Sequence, residues 1–370
     1  MSHRRIVAKF GTSLLTSGTD HLDLQLMANL VEQVARLHRE GKEIIVVTSG
    51  AIAAGREKLG KVPEHRDTPF KQVLASVGQS RLMRTYERLF NQHKITVAQA
   101  LLTKVDLSSR ASYLNARNTL LALIELGVLC IVNENDVVAL DEIGGLAFGD
   151  NDNLSAMVAN LVDADLLALL TDTGGLHTGD PRFHPEAQLI QRVDKIDAEI
   201  ERLASGTVDP RGTGGMTTKI EAAKLATSSG VSVIIADGRE PDVLARIVAG
   251  ESVGTFFPAH VNKVESRKRW MLSGLASKGK ITLDKGAAVA IRKQNRSLLP
   301  AGITGVEGNA QRGDILDIFD ERGKHIGCGI SNYSSAEIAV IKGEHSEKIL
   351  TLLGYEYGDE VIHRNNMVIL

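Results

Sequence analysis

Lys9 closes a short apolar run and is followed almost at once by Gly11-Thr12-Ser13. That grouping has the chemistry of a phosphate cradle: glycine lets backbone N–H groups approach an anion, and lysine adds a point charge. A second segment, Thr213-Gly214-Gly215-Met216-Thr217-Thr218-Lys219, sets paired glycines before a run with helical spacing. The open N–H groups and positive dipole end of such a helix can face a phosphate. Lys219 would fall in its first turn, where a lysine is disfavoured unless an anion is present. The densest polar cluster is Gly149-Asp150-Asn151-Asp152-Asn153, which opens a further helical run at Leu154. One Asp or Asn would serve as a cap, and two of each exceed that need. Spaced carboxylates at Asp150 and Asp152 suit Mg²⁺, which takes few carboxylates together with phosphate oxygens and water. The EF-hand pattern fails, because Leu154 occupies a ligand position and no bidentate glutamate follows. Neither a G-x-x-x-x-G-K-[ST] loop nor a G-x-G-x-x-G occurs, so a nucleotide would be held on another scaffold. The histidines are scattered and form no H-E-x-x-H, which argues against zinc hydrolysis.

The elements that must hold these groups alternate along the first two-thirds of the chain. Strand-like runs are Ile6–Phe10, Ile44–Thr48, Ile95–Leu102, Val128–Asn133, Leu166–Thr171 and Val231–Ala236. Between them, helical spacing marks Leu24–His38, Phe70–Phe90, Ser112–Leu126, Asn153–Val162 and Met216–Ser228. Strand, helix and strand in alternation imply an open, mostly parallel α/β sheet, and near-continuous apolar strands imply helices on both faces. In such a sheet ligands bind beyond the carboxyl ends of the strands. Four polar clusters fall at that edge: Lys9 to Ser13, Thr48-Ser49-Gly50-Ala51, Asn133-Glu134-Asn135-Asp136 and Thr171-Asp172. A shared site explains them together.

After Pro258 the pattern changes. Residues 259–275 read as a linker that begins with a polar, basic stretch. Beyond it, Lys280–Leu283, Ala287–Arg292, Asp314–Asp320 and His325–Ile330 read as short strands divided by glycines. A small β-barrel-like domain is expected there.

Taken in order, KFGTSLLT at 9–16, VTSGAIAAGREKLG at 47–60, VNENDVV at 132–138, GDNDNLSA at 149–156, LLTDTGGL at 169–176 and GTGGMTTK at 212–219 closely resemble the glutamate 5-kinase (gamma-glutamyl kinase) family of the amino acid kinase superfamily. DPR at 180–182 and GYEYG at 354–358 match as well, and LLPAGITGVEGNAQRGDI at 298–315 with GCGISNYSS at 327–335 resembles a PUA domain. The resemblance implies an amino acid kinase domain at 1–258, the linker at 259–275, a PUA domain at 276–357 and a tail at 358–370. One departure is visible: EIGGLAFGDND at 142–152 is longer than the family form through Gly144-Gly145-Leu146.

The implied reaction is ATP-dependent phosphorylation of the side-chain carboxylate of L-glutamate to L-glutamyl 5-phosphate. Implied catalytic residues are Lys9, Lys219 and Asp152, with Asp152 positioning the two lysines. Ser49, Asp136 and Asn151 are implied to bind glutamate. Lys9, Gly11, Thr171, Asp172, Thr213, Gly214, Gly215, Met216, Thr217, Thr218 and Lys219 are implied to line the nucleotide. Mg²⁺ is expected as cofactor, on Asp150 and Asp152. Family likeness further implies feedback inhibition by proline, a homo-oligomer (dimer or tetramer) and handover to glutamyl phosphate reductase. Aspartate, N-acetylglutamate, carbamate or UMP would be the acceptors of other kinases of the same fold.

An RNA-binding PUA protein is the alternative reading, and bulk properties speak against it and against other classes. Formal net charge is −2, and residues 276–370 carry 12 basic and 12 acidic side chains, so no basic footprint for RNA exists. No run approaches the ~18 apolar residues of a membrane span. Neither a signal peptide nor a ligand-spaced cysteine pair is read, and Cys130 and Cys328 fit a reducing cytoplasm as buried thiols.

Overall fold

The computed structural model describes residues 3–60, 68–139, 151–181, 183–205, 215–259 and 277–370. The chain divides into two compact units, one of Met1–Leu107 with Arg117–Lys263 and one of Ser108–Ala116 with Val264–Leu370. The larger unit holds strands β1 (Arg5–Phe10), β2 (Glu43–Thr48), β3 (Val97–Leu102), β4 (Leu129–Glu134), β5 (Leu166–Thr171), β6 (Ser232–Asp237) and β7 (Thr255–Phe257). Their order is β3-β4-β2-β1-β5-β6-β7, and every pair is parallel except β6 with β7. The five helical runs expected from periodicity are all present, within one or two residues at each end. Helix Leu24–Arg39 shows why. The Asp23 carboxylate accepts from the N–H groups of Gln25 and Leu26, and Met27, Leu30, Val31, Val34 and Leu37 form its buried stripe.

Strand order locates the site. From β1 the chain moves to β2 on one side, and after β4 it returns to β5 on the other. The crevice at such a switch point, outside the carboxyl ends, is where an open α/β sheet takes its ligand. Lys9 lies next to the end of β1, in register with Val47 of β2 and Leu169 of β5.

The smaller unit has a five-stranded sheet, β12-β11-β10-β8-β9, from β8 (Gly279–Leu283), β9 (Ile303–Gly308), β10 (Ile315–Phe319), β11 (His325–Ile330) and β12 (Met367–Ile369). Residues near the C-terminus thus supply an edge strand. One expectation is corrected: Ala287–Arg292 is part of a helix, Lys285–Lys293, not a strand. The Asp284 side chain accepts from the Ala287 N–H, and Ala288 and Ile291, three apart, are the buried positions. Alanine at three of four positions from 287 to 290 favours helix, and the run gave a false alternation. Residues 260–275 of the expected linker lie outside the described residues. Among the described residues no helix is long and apolar enough to cross a membrane.

Candidate active site

Three elements converge on one carboxylate. Lys9 comes from β1, Asp152 from the first turn of helix Asn151–Leu161, and Lys219 from the first turn of helix Met216–Ser228. Lys9 Nζ pairs with Asp152 Oδ1, and Lys219 Nζ lies 3.3 Å from Asp152 Oδ2. Thr218 Oγ1 donates to that same Oδ2 at 2.8 Å. All three charged side chains are buried, with Asp152 at 1% exposure. Burial alone would push the Asp152 carboxyl up, but the ammonium groups of Lys219 and Lys9 outweigh it and hold the carboxyl well below its ordinary range. Two cations and one anion leave a net positive charge in a buried place. Such a charge is costly by itself and is offset when an anion arrives.

Backbone geometry adds to this field. Gly215 caps helix Met216–Ser228 with no side-chain hydrogen bond, so the first N–H groups of that helix remain open to a ligand. Gly11 leaves room beside Lys9, since a Cβ there would sit 3.6 Å from Lys9 Nζ. A cavity of about 370 Å³ opens here, lined among others by Thr171, Asp172, Gly215, Met216 and Lys219. Its size falls in the range of small-ligand sites. The Thr217 hydroxyl donates to the Ala204 carbonyl 3.3 Å away.

The second half of the site lies beyond β2 and β4. Ser49 follows β2, and Gly50 after it has φ 100°, a left-handed turn that a side chain would strain. Asn151 Nδ2 donates to Ser49 Oγ at 2.9 Å and to Asn133 Oδ1 at 3.2 Å. Asp136 follows β4, and burial pushes its carboxyl up to about 6. Cys130, near the start of β4, is buried, which raises its thiol to about 12.

A profile of the amino acid kinase family matches residues 4–237, and a PUA domain profile matches residues 279–353. The chain is 58% identical over 368 residues to a glutamate 5-kinase of Dehalococcoides mccartyi, covering 100% of this chain and 99% of that one. The chain belongs to the amino acid kinase family, among the glutamate 5-kinases. Glutamate 5-kinases of Herpetosiphon aurantiacus (51% over 366 residues, 99% of this chain and 98% of that one) and Shewanella oneidensis (50% over 371 residues, 100% and 99%) are similar along their whole length.

For a member of this family, the structure brings Lys9, Asp152, Thr218 and Lys219 into one cluster, and Ser49 with Asn151 into another, joined through the adjacent positions 151 and 152. Asp150, Thr213, Gly214 and the 142–148 loop lie outside the described residues. Among the described residues no group of three His, Cys, Asp or Glu side chains could hold a metal. Asp152 has both oxygens engaged by lysine or threonine, so it does not fit an all-protein metal site.

Sequence reasoning missed Gln79 and the pair Asp237 and Arg239, which adjoin these residues. Asn133 links to Gln79, whose Oε1 accepts from Asn133 Nδ2 at 2.7 Å. Asp237 and Arg239 end β6 beside the same cavity, with an Arg239–Asp237 ion pair of 2.7 Å. Arg239 also donates to the Asp172 carbonyl. The signal for the second pair was present, since Asp237-Gly238-Arg239 is a fifth polar cluster at a carboxyl end. Gln79 gave none, being one polar residue in a long helix.

Proposed function

We propose that this chain transfers the terminal phosphoryl group of ATP to the side-chain carboxylate of L-glutamate, giving L-glutamyl 5-phosphate for proline biosynthesis. The observation that carries the reading is the convergence of Lys9 and Lys219 on Asp152 in the switch-point crevice. The acceptor carboxylate, with an ordinary pKa of about 4.3, is already ionised at neutral pH and needs no general base. The obstacle is charge. Two unit charges ~4 Å apart repel by about 4 kcal/mol at an effective dielectric near 20. Lys9 and Lys219 counter that repulsion at the transferring group, and Asp152 keeps the two ammonium groups together before substrate arrives. The open N–H groups after Gly215 take phosphate oxygens, while Thr171 and Asp172 line the nucleotide cavity. Ser49 and Asn151 hold glutamate, and Asp136, when ionised, attracts its α-ammonium group.

Mg²⁺ belongs to the same reading as the ion of the nucleotide. It would draw mainly on triphosphate oxygens, with Asp150 orienting its shell, and would supply further positive charge. The boundaries proposed are a catalytic domain at 1–258, a linker at 259–275, a PUA domain at 276–357 and a tail at 358–370. Family membership supports proline as feedback inhibitor, a homo-oligomer, a cytoplasmic setting and handover of the labile acyl phosphate to glutamyl phosphate reductase. The test offers ATP, Mg²⁺ and a panel of acceptors, with hydroxylamine to trap any acyl phosphate. Glutamate should give the hydroxamate. Trapping with aspartate or N-acetylglutamate but not with glutamate would overturn the substrate.

A further inference from the structure

Beside the lysine pair runs a chain of one-way hydrogen bonds. Asn151 spends both Nδ2 protons, on Ser49 Oγ and on Asn133 Oδ1, and Asn133 in turn donates from Nδ2 to Gln79 Oε1. What remains is polar at both ends: Asn151 Oδ1 and Gln79 Nε2 are buried and have no partner among the described residues. Asn151 is itself only 6% exposed. A network serving packing alone would be satisfied throughout, because an unmet buried polar atom is costly. The unmet Asn151 acceptor fits a substrate that brings a hydrogen-bond donor, as the ammonium of an α-amino acid does.

A carboxamide can face either way, and its neighbours decide which. Asn151 faces as it does because Asn133 offers it an oxygen. Asn133 offers the oxygen because its Nδ2 is turned to donate to Gln79 Oε1. Backbone contact fixes the helix that carries Gln79. Its helix, Thr68–Asn91, crosses helix Ala51–Leu59, which begins just after Ser49-Gly50. A Cβ at Gly78 would lie 1.8 Å from the Ala51 carbonyl oxygen, and one at Gly55 would lie 1.9 Å from the Leu74 carbonyl oxygen. Further along, the buried Tyr86 hydroxyl bonds Thr48 Oγ1 at 2.7 Å, at the end of β2. The helix therefore cannot shift away from the site without losing both contacts.

We propose that Gln79 is a positioning residue for the amino-acid substrate. Through Asn133 it holds the Asn151 carboxamide with Oδ1 presented as an acceptor, so the site selects a substrate bearing a hydrogen-bond donor, the ammonium, at its α-carbon. The inference rests on the glutamate kinase reading above. It adds a residue that touches no substrate and sets which α-substituent is accepted.

The discriminating probe is 2-oxoglutarate, which has the carbon chain of glutamate but a carbonyl acceptor in place of the ammonium. With the full chain, three quantities are measured: KM for glutamate, the constant for competitive inhibition by 2-oxoglutarate, and KM for ATP. Wild type is compared with Gln79→Met, Gln79→Ala and Gln79→Glu. Either removal variant should raise glutamate KM by roughly tenfold and leave 2-oxoglutarate inhibition undiminished, because the freed Asn151 amide can turn its donor outward. ATP KM should stay unchanged. Gln79→Glu keeps the oxygen that accepts from Asn133 and should retain the wild-type preference. A removal variant with the wild-type preference overturns the inference, and so does a folded Gln79→Glu protein that loses it. If wild type makes no acyl phosphate from glutamate, the kinase reading fails and this inference with it. A wild type active on glutamate beside variants of unaltered preference sinks the inference alone.

Discussion

Asp152 and Asp136 are both proposed for one site, one fully buried and the other half-buried, and their surroundings treat charge in opposite ways. Asp152 lies between Lys9 and Lys219, so its carboxyl is held well below the ordinary value of 3.8 despite complete burial. For Asp136 burial is the largest influence, and its carboxyl rises to about 6. The difference separates two jobs. A carboxylate already neutralised by two cations organises them and survives as an anion without any ligand. A carboxylate without such cations gains a stable charge when a cation is delivered, and the α-ammonium of glutamate is such a cation.

The comparison can be broken at each end. The largest effect should come from Lys219→Ala, which removes charge from the transferring phosphoryl group. Turnover should fall by about 10²–10³-fold in a protein that still folds by circular dichroism. Near-normal turnover would remove Lys219 from the chemistry. Asp152→Asn should come next, because it leaves two buried ammonium groups facing one another without an anion. A loss of about 3–5 kcal/mol in unfolding free energy is expected in denaturant titration. Because the folded carboxyl titrates below 3.8, the stability it contributes is present above that pH and is lost as pH falls below it. The wild-type protein should show that acid loss, and Asp152→Asn should lack its share of it.

Asp136→Asn is expected to raise glutamate KM roughly tenfold and leave ATP KM alone. In wild type, glutamate KM should fall as pH rises through about 6, as Asp136 becomes ionised. The variant should be flat across that window, and a variant that still follows pH there would assign the titration to another group. Smallest of all, Arg239→Ala sharpens the contrast between buried and exposed pairs. The Arg239 side chain is 53% exposed beside Asp237. Its removal should cost no more than about 1 kcal/mol of stability in the same denaturant assay.

Much of this site was legible in the residues. Lys9, the Gly-rich segment before Lys219 and the Asp150 to Asn153 cluster each broke a local rule of strand ends or helix starts, and a rule broken without structural need marks function. The sheet was legible because buried parallel strands read as unbroken apolar runs. Ala287–Arg292 was not, since five small or branched apolar residues before one arginine fit either period until the Asp284 cap is seen. Gln79 was not legible either, because its role depends on two helices crossing at Gly55 and Gly78, a contact that no local pattern encodes. The pairing of Asp152 with both lysines was implied by family resemblance alone, because it joins positions 9, 152 and 219 through the fold.

The measurement closest to the heart of the account is a double-mutant cycle on turnover with Lys9→Met and Lys219→Met. If both ammonium groups gather the same phosphoryl group around one carboxylate, each single change should remove most of the rate, and the double variant should be little worse than the poorer single. Losses that multiply in full would show two cations acting independently and would contradict a shared cradle.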